Sequence, residues 1–109
     1  VIGLRHRWLV VGGGSAVHSV LMGVYQAAGR VCDGRAVFEL DGGQASIRFC
    51  SSLATWMLGS RKDEGTNLGH MELVDDVASP EVSTKAWKEY IGGSWKENTG
   101  ILVIGLRHR

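Results

Sequence analysis

Residues 33–50 read Asp-Gly-Arg-Ala-Val-Phe-Glu-Leu-Asp-Gly-Gly-Gln-Ala-Ser-Ile-Arg-Phe-Cys, and their reading decides the fold. Asp33-Gly34 is a turn signal. Residues 35–40 then form a short strand. Asp41-Gly42-Gly43 is a hairpin turn, where positive φ is cheap at the glycines. Residues 45–50 alternate cleanly, with Ile47 and Phe49 on one face.

Towards the C-terminus the same punctuation continues. Ser51-Ser52 breaks the strand and residues 54–59 form the next. The polar stretch 60–69 is a surface loop. Residues 70–74 form a strand with Met71 and Leu73 on one face. An irregular connection with one helical turn follows around the single proline, Pro80. Residues 85–91 place Trp87, Glu89 and Ile91 on one face and Ala86, Lys88 and Tyr90 on the other. Gly92-Gly93 turns, residues 94–97 pair back, and a last strand follows Gly100. Towards the N-terminus, Val20, Leu21, Val24 and Tyr25 have helical spacing. Gly23 interrupts it, and a strand over 21–27 is favoured. Short strands with closely spaced turns predict an all-β chain: a small antiparallel sandwich or barrel-like module built from short strands and Gly-rich turns.

A second pattern concerns the ends. Residues 1–7 read Val-Ile-Gly-Leu-Arg-His-Arg, and residues 103–109 read the same. The copies begin 102 residues apart, at Val1 and Val103. The chain therefore reads as a single module, 1–109, made of one period of a tandem array plus a seven-residue overlap. Overlaying the copies gives a strand-like junction, residues 101–109 followed by 8–11. One copy pairs and the other hangs free, or the free copy adds to a neighbouring molecule. The plainer alternative is an overlap at the ends without self-association, and the sequence favours neither. The candidate inter-module residues are Val1, Ile2, Leu4, Trp8, Val103, Ile104 and Leu106.

Composition bounds the rest. With 109 residues, 44% hydrophobic and 21% charged, the chain fits one globular domain with a modest core. A net charge of +1 gives no nucleic-acid footprint. No apolar run is long enough to insert into a membrane. No signal peptide is visible in these residues, and the expectation for the parent protein is an extracellular or cell-surface location. Cys32 and Cys50 lack zinc-site spacing. In an oxidising compartment they would form a disulfide worth about 3 kcal/mol; in a reducing one they would be two small buried hydrophobes. Their placement at strand ends favours a cross-strand bridge.

No catalytic motif emerges. Gly12 and Gly14 after Val10-Val11 fit a dinucleotide fingerprint, but Val17 occupies its third small position and Asp33 lies in a turn. A glycine loop is the better reading. His6, His18, His70 and His108 show no ligand spacing to one another or to a cysteine, so no metal or cofactor is expected. The acid pairs Asp63-Glu64 and Asp75-Asp76 lack the alternating ligands of a calcium loop. The four tryptophans are the best lead. Trp56 and Trp87 suit a core. Trp8 suits an inter-module contact. Trp95, with Tyr90 and the basic residues Arg107 and Arg109, is a candidate ligand surface, since aromatic faces stack on sugars and anchor protein interfaces.

Asp33-Gly34-Arg35-Ala36-Val37-Phe38 is similar to an Asn-Gly-Arg-Pro-Val-Tyr signature. Trp56-Met57-Leu58-Gly59, Pro80, Trp87 and Trp95 follow in order. Over about residues 21–103 the chain thus resembles β-rich modules found in tandem in large proteins of marine algae and other protists. It departs from the pattern at Asp33, Ala36 and Phe38. The resemblance implies a repeat module and supplies no catalytic residues. The function expected is a non-catalytic structural module joined head-to-tail to neighbouring copies, as part of a fibre or stalk. The alternative is a carbohydrate- or protein-binding module.

Overall fold

The turn chemistry of the 33–50 stretch is realised residue by residue in the structure, a computed structural model that describes residues 7–107. Strands β1 (Arg7–Gly12), β2 (Gly23–Cys32), β3 (Arg35–Leu40), β4 (Ala45–Cys50), β5 (Thr55–Ser60), β6 (Met71–Leu73), β7 (Trp87–Ile91), β8 (Ser94–Asn98) and β9 (Leu102–Arg107) follow in chain order. Asp33 and Gly34 join β2 to β3 with φ of 51° and 80°, and Gly92 and Gly93 join β7 to β8 with 62° and 86°. Positive φ at both central residues is the mirror-image turn whose twist matches an antiparallel hairpin.

The nine strands form one antiparallel sheet in the order β8-β7-β6-β5-β4-β3-β2-β1-β9. Strands β1 to β8 are a meander; β9 returns to pair with β1, Trp8 opposite Leu106 and Val10 opposite Ile104. This order dictates the shape. In a flat sheet β8 and β9 would lie about 38 Å apart, at about 4.8 Å per strand. Only Thr99, Gly100 and Ile101 connect Asn98 to Leu102, and that link spans at most about 15 Å. The sheet therefore curls into a half-barrel. Of the two architectures expected, a single curled sheet is found rather than a pair of packed ones.

The concave face carries the core: Leu9, Val11, Tyr25, Phe38, Ile47, Phe49, Trp56, Leu58, Met71, Leu73 and Trp87, with Ile101 from the β8–β9 link. Along each strand these positions alternate, the period-two pattern of a half-buried strand. On the other side of β4 and β5, Arg48 and Met57 are also buried, beneath the loop between β5 and β6. The Arg48 guanidinium donates to the carbonyls of Ser60 at 3.1 Å and Leu68 at 2.6 Å, fastening that loop. The loop approaches so closely that a Cβ on Gly59 would lie 2.9 Å from the Gly69 Cα.

Two expectations are corrected. The strand over 21–27 begins only at Gly23, because Ala16–Leu21 forms a 3-10 turn that buries His18 and Leu21 and exposes Val17 and Val20. The expected Cys32–Cys50 bridge is not formed, and both cysteines are free thiols. They lie on β2 and β4 with β3 between them, and their cross-strand neighbours are Arg35 and Thr55.

Candidate functional site

Three surfaces hold the residues singled out from the sequence, together with one cluster that the sequence reading passed over. The first surface is the face of β9, β1 and β2 turned away from the core. Cross-strand register builds it in rows: Leu106, Trp8 and Gln26; Ile104, Val10 and Val24; Leu102 and Gly12. Leu102, Ile104 and Leu106 are 59%, 52% and 45% exposed. On the opposite face of the same strand Val103 packs against the core. A strand apolar on both faces ordinarily has both covered. Along its remaining edge, β9 pairs with no other described strand. A cleft of about 290 Å³ opens between the start of β9 and residues 83–87.

The structure therefore brings Trp8, Ile104 and Leu106 together on this face, while Val103 on the same strand turns to the core. It gives the slot beside β1 to the C-terminal copy of the duplicated stretch. The other candidates of this set, Val1, Ile2 and Leu4, lie outside the described residues.

The second surface is the β7–β8 hairpin. Tyr90 and Trp95 stand directly opposite each other. Their ring centroids are 5.3 Å apart at 65°, an edge-to-face pair worth about 0.5–1.5 kcal/mol to the hairpin. Tyr90 is exposed and Trp95 half-buried. Arg107 belongs to β9, at the opposite end of the strand order, so it is not part of this hairpin. Arg109 lies outside the described residues. Trp56 and Trp87 fill the core as their positions suggest, and the Trp56 indole donates to the Val77 carbonyl at 2.9 Å.

The third surface is an ion-pair network on β2, β3 and the β5–β6 loop. Arg30 bridges Glu39 and Glu64, and Arg61 approaches Glu39 at 3.3 Å. The Arg30 hydrogen bond is the largest influence on Glu64 and lowers its pKa. This is a half-exposed structural cluster.

The cluster missed from the sequence centres on Glu89, a carboxylate only 2% exposed among core residues. Its Oε1 accepts from the Ser15 amide at 2.8 Å, the Ser15 hydroxyl at 2.9 Å and His18 Nδ1 at 2.9 Å. Its Oε2 accepts from Asn98 Nδ2 at 2.8 Å. Burial alone would raise this carboxyl's pKa. The bonds from His18, Ser15 and Asn98 outweigh burial and bring it from 4.5 down to about 2. Asn98 also donates to the Gly13 carbonyl at 3.1 Å and accepts from the Gly100 amide at 2.9 Å. Glu89 and Asn98 therefore tie β7, the β8–β9 link and the end of β1 together where the sheet curls upon itself.

With four donors on it, Glu89 is no free base. It is an anchor that orients His18. The available signal was the alternation that put Glu89 on one face with Trp87 and Ile91. A charged residue on a core face needs partners, but nothing in sequence spacing names Ser15 or His18, which lie 74 and 71 residues away.

No protein-family model, curated protein or solved structure matches the chain.

Proposed function

We propose that this chain is a non-catalytic structural module of a tandem-repeat protein, joined to neighbouring copies through its duplicated strand. The observation that carries the reading is the position of β9. Five residues of the segment repeated at residues 1–7, Val103 to Arg107, belong to β9 and pair with β1. The second copy runs directly into β1, without a linker. In a tandem array the β9 of one unit would then continue straight into the β1 of the next, and successive half-barrels would share one backbone run. Such a junction is short and stiff, as an extended stalk or fibre requires. The resemblance to algal and protist repeat modules points the same way.

For separate chains, residues 1–5 of one copy can make beside β1 of another the contacts that residues 103–107 make within the chain. The sequence is the same and so is the register. This is strand exchange in a head-to-tail sense. The exposed apolar row Leu102, Ile104 and Leu106 then becomes contact surface between copies.

The test is the solution mass over a concentration series, for the full chain and for one lacking residues 1–6. The reading expects oligomers from the full chain, growing with concentration, and monomers from the shortened one. Monomers from both at every concentration would remove assembly by strand exchange. The Tyr90–Trp95 pair would then be the surface to pursue, by screening glycans against the chain and its Trp95→Ala variant.

A further inference from the structure

A second site is built around His18 and has no part in the strand junction. Glu89 accepts from His18 Nδ1 at 2.9 Å. An ionised carboxylate on Nδ1 fixes the tautomer with the proton there, which leaves the Nε2 lone pair free. His18 lines a shallow pocket of about 270 Å³ together with Val17, Val20, Leu21 and His70. His70 is exposed and stands immediately before β6. Its backbone position is fixed, because its amide donates to Leu58 at 2.9 Å and its carbonyl accepts from Tyr90 at 2.9 Å. The two imidazole centroids are 5.8 Å apart with their planes at 42°.

That separation has a chemical meaning. A transition-metal ion about 2.1 Å from a ring nitrogen lies about 3.2 Å from the ring centroid, so two imidazoles sharing one ion have centroids about 4.6 Å apart at a right angle about the metal, about 5.3 Å at the tetrahedral angle and about 6.5 Å in line. The observed 5.8 Å lies within this range, slightly wider than the tetrahedral value. A buried carboxylate behind one ligating histidine is also the usual support of a metal-bound imidazole, since it orients the ring and raises its basicity.

We infer that His18 and His70 form a two-imidazole site for a divalent transition-metal ion of the zinc, nickel or copper class, with Glu89 as the group that positions His18. Imidazole nitrogen selects these ions over calcium and magnesium. Among the described residues no group of three or more His, Cys, Asp or Glu side chains is placed to hold a metal. His18 and His70 are the two protein ligands of the proposed site, whose remaining positions are open to water.

The experiment is calorimetric titration of the full chain with zinc chloride and, separately, nickel chloride. His70→Ala is the main variant, because the His70 side chain is exposed and its substitution leaves the backbone bonds intact. A His6→Ala/His108→Ala double variant controls for the duplicated histidines. The expected result is one site per chain, at least tenfold weaker in His70→Ala and unchanged in the double variant. Side-chain nitrogen NMR of the full chain should show the His18 and His70 resonances moving with zinc. No binding by the full chain overturns the inference. So does a loss of less than tenfold in His70→Ala, or binding abolished in the double variant.

Discussion

Glu89 shows how much a single residue can carry in a small β-fold. It is a buried anion whose four hydrogen bonds come from three residues in two sequence-distant parts of the chain. Removing one side of such an arrangement leaves buried donors unpaired, so Glu89→Gln should cost about 3 kcal/mol, read from urea unfolding at pH 7. The pH dependence has a definite sign. The folded-state carboxyl titrates at about 2 against an ordinary 4.5. Its stabilisation is therefore fully present above about pH 4.5 and is lost as the pH falls towards 2. The parent chain should lose stability across that window, and Glu89→Gln should show a flatter acid limb. A Glu89→Gln chain as stable as the parent at pH 7 would show that the cluster contributes nothing net. At this scale the sequence was partly legible. Alternation put Glu89 on the core face, but its partners come from sequence-distant segments that no local pattern connects.

At the scale of elements, legibility followed turn chemistry. Asp33-Gly34 and Gly92-Gly93 were readable because mirror-image turns demand positive φ, which few residue types supply. Strand β4 was readable because its apolar positions alternate, and β3 because turn signals bound it on both sides. Residues 16–21 were not. Their apolar residues fall on both the buried and the exposed side of a short 3-10 turn, so neither period describes them. The glycine stretch 12–14 looked like a plain loop and is a packed crossing. Gly13 has φ of 84°, and a Cβ there would sit 1.8 Å from the Gly100 carbonyl oxygen. Gly42 has a similar φ of 98° but nothing within 4 Å of its would-be Cβ. The pair separates two costs. Gly42→Ala should cost about 1 kcal/mol for the left-handed backbone alone, whereas Gly13→Ala should exceed 3 kcal/mol as the two segments are forced apart. Thermal melts of both variants measure the difference, and equal losses would show that the crossing yields without strain.

At the scale of the whole molecule, the curl of the sheet was not legible, because it depends on a pairing between strands at the two ends of the chain. The duplication drew attention to β9 without revealing that its neighbour is β1. That pairing now sets apart two truncations. Removing residues 103–109 takes away most of β9 and uncovers Leu9 and Val11, so urea unfolding should lose its cooperativity and the near-ultraviolet signal of the tryptophans should weaken. Removing residues 1–6 leaves β1 whole and should shift stability by less than about 0.5 kcal/mol. Equal damage from both would mean that the two copies contribute alike. The β1–β9 pairing also has a consequence in time. On the ribosome, β1 to β8 are all made before β9 exists, so the flank of β1 waits through the synthesis of nearly the entire unit. In an array, the β9 sequence of the preceding unit has already emerged by then. In such an array the nascent chain would meet a competing copy of the closing strand before its own, and faithful folding would depend on how quickly the preceding unit claims that copy.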